Sequence, residues 1–423
     1  MRIFGYYLYL RSVFNFLNIS KLNNKKVRKE KIRIGFLVQV LDVLNKSKIL
    51  IEKLQKDERF EVYVFCIPLD IDCKSTCDIN ATNEAYVYCK GMFNNVIDTF
   101  GGRNKWIDLK AYDLDYVFYP RPYENVYPKL YRSSVVSSYS KVCILLYGMV
   151  LTADILKTML NAKFFKNVYY YFAETIYCRN FNASRFLITH KLSLQKSVFL
   201  GMPALEEIAI VNQEYMQGNA SAWHFSKSSF KVIWTPRWTT DIKCGGSNFF
   251  NYNNILLNFA DKHKDIDFLF RPHPLLFKNF IKNGEMTEKE FEYFITEIEK
   301  RVNVSLDKEK EYVSTFCESS LLVTDLSSII PEYFITGKPI IFCAENMYLE
   351  LAEHTKTILE GCYVVKNKDE LIESITMLHK GMDPLRARRL EIINSLFGEH
   401  IIGTTDRIVE EIASDYRQTH DNI

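Results

Sequence analysis

The 423-residue chain is too long for one compact core and is expected to form two domains with appendages. Its 48% hydrophobic and 25% charged residues, with 11 Pro and 16 Gly, are those of a globular chain and exclude a fibrous or wholly disordered one. A net charge of +3 is too mild to argue for a nucleic-acid partner, so any basic function is local.

Residues 1–30 join an apolar, aromatic run (Ile3, Phe4, Tyr6, Tyr7, Leu8, Tyr9, Leu10, then Val13, Phe14, Phe16 and Leu17) to the cations Lys21, Lys25, Lys26, Arg28 and Lys29. The order of charge and apolar residues is wrong for a signal peptide, and no run reaches the ~18 apolar residues of a bilayer span. Two readings fit: a helix lying on an anionic membrane surface, or a helix docked on the fold with a solvated basic linker.

Residues 31–38 and 61–68 read as strands on either side of a helix at 43–54, a βαβ unit that opens a parallel, doubly wound sheet. No G-x-G-x-x-G follows the first strand, which excludes a dinucleotide fingerprint. Further strands are expected at 116–119, 140–146, 168–172, 186–189 and 197–200, several running straight into Gly or Pro. In open α/β sheets such C-terminal strand ends are where ligands bind. The polar, helical stretch 206–227 marks the domain junction.

A second α/β set follows, with a strand at 230–234, a glycine loop at Gly245-Gly246 and a helix near 252–262. A strand at 266–270, a charged helix at 287–302, a short strand at 363–365 and helices at 369–379, 386–396 and 405–416 complete it. Ten cysteines are scattered; only Cys73 and Cys77 lie close together, and no second pair or His cluster completes a metal site. They read as reduced structural thiols of a cytosolic protein.

The most informative stretch is 319–342, read as strand, tight turn, short helix, turn and strand. Asp325, Ser327 and Ser328 sit where the buried strand hands over to the helix, with Pro331 in its first turn and Gly337 stopping it. Ser327 and Ser328 either cap the helix or meet an anion there. Two other strand ends converge on this place in a parallel sheet. Thr235-Pro236-Arg237-Trp238 is one, and Arg271-Pro272-His273-Pro274 is the other, its prolines holding the backbone extended so that Arg271 and His273 project from the strand's end. Arg offers a planar fork to phosphate oxygens and His a donor or proton carrier near neutral pH. Glu332, one turn after Ser328, suits a ribose hydroxyl or simply complements the helix, and Lys338 is expected to neutralise that helix's C-terminus. No Walker lysine, G-x-S-x-G elbow or H-E-x-x-H motif occurs.

These blocks resemble the CDP-glycerol glycerophosphotransferase family, the teichoic-acid and capsule polymerases. Residues 321–342 are similar to its TDYSS…D…P block, 271–274 to its R-x-H-P and 234–238 to its AP-x-W strand end, while 197–203 is similar to its GYPR segment. The resemblance implies an α/β, GT-B-like architecture: two Rossmann-like domains facing across a cleft, at 31–205 (acceptor side) and 206–385 (nucleotide donor), with helices at 386–423 crossing back. It implies a transferase that passes glycerol phosphate or a related polyol phosphate from a CDP-linked donor to a hydroxyl of a growing cell-surface polymer, releasing CMP. No cofactor beyond that donor is implied, and the acceptor is a polymer or lipid-linked chain at the inner face of the membrane. His273, with Arg271, would meet the donor phosphates, Ser327 and Ser328 the pyrophosphate, and Glu332, which stands where the family has Asp, the ribose. Thr235, Arg237 and Asp325 complete the donor side. The family's N-domain W-H-G-T block is replaced at 146–149 by Leu146-Tyr147-Gly148-Met149, without a His. Asp154 and Glu174 are the candidates to stand in for it. The alternatives are a GT-B glycosyltransferase using a nucleotide sugar and a non-catalytic binding module.

Overall fold

In the computed structural model the described residues are 13, 29–69, 83–101, 105–154, 156, 160, 162–216, 228–309 and 311–421. The apolar segment of the N-terminus and the pair Cys73 and Cys77 lie outside them. The chain forms two compact units: Met1–Gly148, Leu156–Glu206 and His400–Ile423 make the first, and Met149–Ile155 with Glu207–Glu399 the second.

The first unit is built on seven parallel strands, β1 (Ile32–Val38), β2 (Phe60–Cys66), β3 (Val96–Asp98), β4 (Tyr116–Tyr119), β5 (Lys141–Leu145), β6 (Val168–Phe172) and β7 (Lys196–Val198). Their order is β3-β2-β1-β4-β5-β6-β7. The second unit carries β8 (Phe230–Thr235), β9 (Ile266–Phe270), β10 (Val304–Leu306), β11 (Leu321–Thr324), β12 (Ile340–Cys343) and β13 (Tyr363–Val365), also all parallel, in the order β10-β9-β8-β11-β12-β13. Helices cover both faces of such sheets, which is why central strands such as Tyr116–Tyr119 and Leu321–Thr324 are buried at every residue. In each unit the strand order reverses once, between β1 and β4 and between β8 and β11, and the C-terminal edge at such a reversal is the open crevice of a doubly wound sheet.

The expected helix at 43–54 is broken into Leu41–Leu44 and α1 (Lys48–Lys56). Residues 186–189 are not a strand: Leu187–Lys191 is helical, with Phe186 and Thr189 buried while Leu187 and Ile188 face out. A four-residue apolar run carries no period by which to tell the two apart. β3 and β10, three residues each, have no sequence signal of comparable length.

The last helix, α2 (Thr404–Asp421), lays Ile408, Val409, Ile412, Ala413 and Tyr416 into the core of the first unit beside Leu50, Ile51 and Leu54 of α1. Glu206 accepts the backbone N–H groups of Gly403 and Thr405, each at 2.7 Å, at its start. Farther along, the buried Asp415 receives Lys141 Nζ at 2.6 Å, Lys196 Nζ at 2.7 Å and the hydroxyls of Tyr116 and Tyr169 at 2.7 Å. Gly201 lets the chain pass this helix's approach: its φ is +106°, and a Cβ there would fall 1.9 Å from the His400 carbonyl oxygen. All eight described cysteines are free thiols, and all but Cys244 are buried. Among the described residues no helix is long and apolar enough to cross a membrane.

Candidate functional site

The crevice of the second unit lies where β8 and β11 end side by side, with Thr235 in register with Thr324. The Thr235 hydroxyl donates to that of Thr324 at 2.8 Å, closing the two strand ends together. The next residue, Asp325, is buried and gathers the loops: it accepts from Arg237 N at 2.8 Å, Asn248 Nδ2 at 2.8 Å, Asn248 N at 3.2 Å and Ser247 Oγ at 3.3 Å. Burial pushes its carboxyl above the usual range against the pull of those donors. Asn248 also donates to the Cys343 carbonyl at 3.1 Å, so Asp325 and Asn248 fix the ends of β8, β11 and β12 as one frame. Asp325 therefore builds the wall of the crevice from within.

Arg237 is the cation of that wall. Its guanidinium donates to the Leu326 carbonyl and lies 5.9 Å from the Trp238 ring, while its Nε is buried without a partner. Burial lowers its proton affinity, against the opposing pull of Cys244 and Asp325, and among the described residues it forms no ion pair. Gly245, at φ +93°, leaves room there; a Cβ would come 3.2 Å from Arg237 Nε. Trp238 also neighbours the exposed His273, with ring centroids 6.3 Å apart. Its Nδ1 accepts the Leu275 backbone N–H at 3.1 Å, so in the neutral ring the proton is on Nε2, which is then a donor.

Arg271 does not stand out from the end of β9 as expected. It is ion-paired with Asp307, just past β10, donates to the Glu309 carbonyl at 2.9 Å and lies 5.7 Å from the Tyr312 ring. It orders the loop after β10. Tyr312 in turn hydrogen-bonds the buried Glu332, and burial first, then that carboxylate, push the Tyr312 hydroxyl well up. Ser328 makes no capping bond, and the Ser327 hydroxyl accepts the Ile329 N–H at 3.5 Å, the outer limit of a hydrogen bond. The helix they precede, Ile329–Phe334, is six residues long, so its dipole is small. Lys338 is also not where its helix predicts. Its ammonium donates to the Cys317 carbonyl and, at 3.3 Å, to that of Phe316, which caps the preceding helix Val313–Glu318, and burial lowers it to about 8.

In the first unit Gly148 and Glu174 lie on the C-terminal edge of adjacent strands, β5 and β6. Glu174 is buried; Tyr171 donates its hydroxyl to one carboxyl oxygen and the other has no partner. Burial pushes this carboxyl up to about 7, against the Tyr171 hydrogen bond that pulls it down. Asp154 is exposed and belongs to the second unit, where the adjacent Ala153 N–H donates to Glu350 O at 2.9 Å. Asn248 and Tyr312 are the members of the donor-side frame that lie outside the sequence motifs.

The family model for CDP-glycerol:poly(glycerophosphate) glycerophosphotransferase matches residues 158–414, more than half of the chain. The chain belongs to that family. This family member is a transferase of the CDP-glycerol glycerophosphotransferase type with two parallel-sheet α/β units of GT-B-like fold. No curated protein matches it. Among solved structures it is similar to UDP-GlcNAc 2-epimerase from Neisseria meningitidis bound to UDP-GlcNAc, at 14% identity and a TM-score of 0.60, over 90% of this chain and 100% of that one. It is also similar to a putative UDP-N-acetylglucosamine 2-epimerase from Listeria monocytogenes (13% identity, TM-score 0.61, 92% and 97% covered). The wall teichoic acid polymerase TagF, soaked with CDPG, matches at 15% identity and a TM-score of 0.59, over 99% of both chains. At such identities these likenesses speak for the fold.

Proposed function

We propose that this transferase moves glycerol phosphate, or a related polyol phosphate, from a CDP-linked donor to the terminal hydroxyl of a growing teichoic-acid-like or capsular chain. The acceptor oxygen attacks the donor's β-phosphorus, the bond from that phosphorus to the bridging oxygen breaks, and CMP leaves. The observation that carries this reading is Arg237: a half-buried guanidinium whose Nε is buried without a partner, with no ion-paired carboxylate among the described residues, at the reversal of the second sheet. Desolvated cations of this kind meet phosphate oxygens. His273, by donating from Nε2, adds a second contact to the pyrophosphate, and both stabilise charge that develops on CMP. The hydroxyls of Ser327 and Ser328 and of Thr235 line the same edge, and Tyr312 with Glu332 forms a pair that a ribose hydroxyl can join. Arg271 acts by holding the loop after β10. Glu174, with its carboxyl near neutrality, takes the acceptor proton in place of a histidine. The acceptor chain lies at the inner membrane face, a placement supported by the apolar-then-basic composition of residues 1–30.

The test is CMP release from CDP-glycerol with a polymer acceptor by the wild type and His273→Ala. Removing one preorganised donor should cost about 10²–10³ in kcat with the thermal midpoint unchanged. Full turnover in His273→Ala would remove it from the site.

A further inference from the structure

The C-terminal edge of the first sheet carries little charge. Among the described residues within three positions after each of its strands, Arg121 is the only cation and Glu174 the only carboxylate. Arg121 follows β4 by two residues, beside β1, at the reversal of strand order where the crevice opens. Its neighbours hold it in place. It donates through Nη2 to Gln39 Oε1, and Gln39 is itself fixed by bonds from Nε2 to the Pro68 carbonyl at 2.9 Å and the Val126 carbonyl at 3.2 Å. The Tyr127 hydroxyl donates to the Arg121 carbonyl at 3.1 Å. No carboxylate pairs with this guanidinium among the described residues; the nearest acid in sequence, Glu124, is bound by the backbone N–H of Ser133 at 3.0 Å and by its hydroxyl.

The residues around it suit a polyol chain. Tyr123 and Tyr147 hydrogen-bond through their side chains, at the ends of β4 and β5, and offer hydroxyls next to the cation. The cavity beneath, lined by Val38, Gln39, Val40, Tyr119, Pro120 and Leu145, has a volume of 20 Å³, room for one water, so a ligand lies over its rim. Glu174 is two strands away, about 10 Å at the usual spacing.

We infer that Arg121 binds the last phosphate of the acceptor chain and so sets the terminal hydroxyl toward Glu174. This rests on the transferase reading. The ligand class is a polyol phosphodiester. A guanidinium anchored by Gln39 and by the Tyr127 hydroxyl is held in one orientation, so its remaining N–H groups meet phosphate oxygens at lower entropic cost than a loose lysine. A neutral sugar or polyol acceptor would gain nothing from it.

The experiment titrates the full-length protein, without donor, with tri(glycerol phosphate) and with uncharged triglycerol by calorimetry. Wild type should bind the phosphate oligomer, and Arg121→Gln should bind it about tenfold or more weakly. Triglycerol and CDP-glycerol affinities should not change. Arg121→Lys, which keeps the charge and loses the fork, should fall between them, and wild-type binding should weaken from 50 to 200 mM salt by roughly the loss expected of one screened contact. Equal affinity of wild type and Arg121→Gln for tri(glycerol phosphate) overturns the inference; so does salt-independent binding together with a wild-type affinity in Arg121→Lys, should the Gln variant not fold. The two readings separate: Arg121-dependent binding without any CMP release means that the transferase reading fails alone. CMP release with an unchanged acceptor KM in Arg121→Gln means that the phosphate site fails alone.

Discussion

Replacing Glu174 by Gln separates a catalytic role from a structural one, because the two make opposite demands on stability. The folded protein raises this carboxyl from 4.5 to about 7 by burying it, so between those pH values the folded state keeps a proton that the unfolded chain has released. Stability therefore falls as pH rises through that window and levels off above it. At 1.36 kcal/mol per pH unit the full loss is about 3 kcal/mol. Gln cannot ionise and keeps an oxygen for the Tyr171 hydroxyl. Glu174→Gln should be as stable as wild type near pH 4 and more stable by up to about 3 kcal/mol at pH 8, read from urea unfolding at each pH. If the same carboxylate takes the acceptor proton, wild-type kcat for CMP release should rise through about pH 7, and Glu174→Gln should lose about 10²–10⁴ of it. A variant that gains stability and keeps wild-type kcat would show a buried acid without a catalytic part. One that gains no stability at pH 8 would refute the burial argument itself.

Two further outcomes concern the scaffold. Although burial alone would raise it, Lys141 and Lys196 hold Asp415 down to about 2, so its contribution of roughly 2 kcal/mol is present above pH 4 and disappears as pH falls through 2. Asp415→Asn should cost about 3–5 kcal/mol at pH 7, because it leaves Lys141 buried and unpaired, and should flatten the acid limb of the stability curve; an unchanged limb would contradict the assignment. Arg389 is wholly buried and donates to the carbonyls of Gly337 and Gly361, each at 2.9 Å, and to Asp383. Arg389→Met should lower stability by about 3 kcal/mol or more, measured by urea midpoint, and a midpoint within 0.5 kcal/mol of wild type, by the ordinary scatter of surface changes, would count against it.

The sheets were legible because fully buried parallel strands read as continuous apolar runs, as at Tyr116–Tyr119 and Leu321–Thr324. What stayed hidden turned on short or two-sided elements. β10 is three residues with one buried, and without it Asp307 had no place beside Arg271, so that arginine looked available when it is ion-paired. The sequence places Lys338 at the end of its own helix, whereas its ammonium reaches back to the carbonyls of Phe316 and Cys317 through the tertiary fold. The meeting of Arg237's strand end with Asp325 follows from a parallel sheet, but Asn248, 77 positions before Asp325, joins that frame only through the fold. Glu174 could be named from its position after a strand, but the burial that sets its proton affinity belongs to the packed first unit.

The most direct test of the donor assignment is a screen of nucleotide release by the full-length protein, with CDP-glycerol, a UDP-sugar and a GDP-sugar each supplied with the polymer acceptor. CMP released from CDP-glycerol, dependent on Arg237 and His273, is the expected result. UDP or GDP released from a nucleotide sugar, with CDP-glycerol left intact, would contradict it.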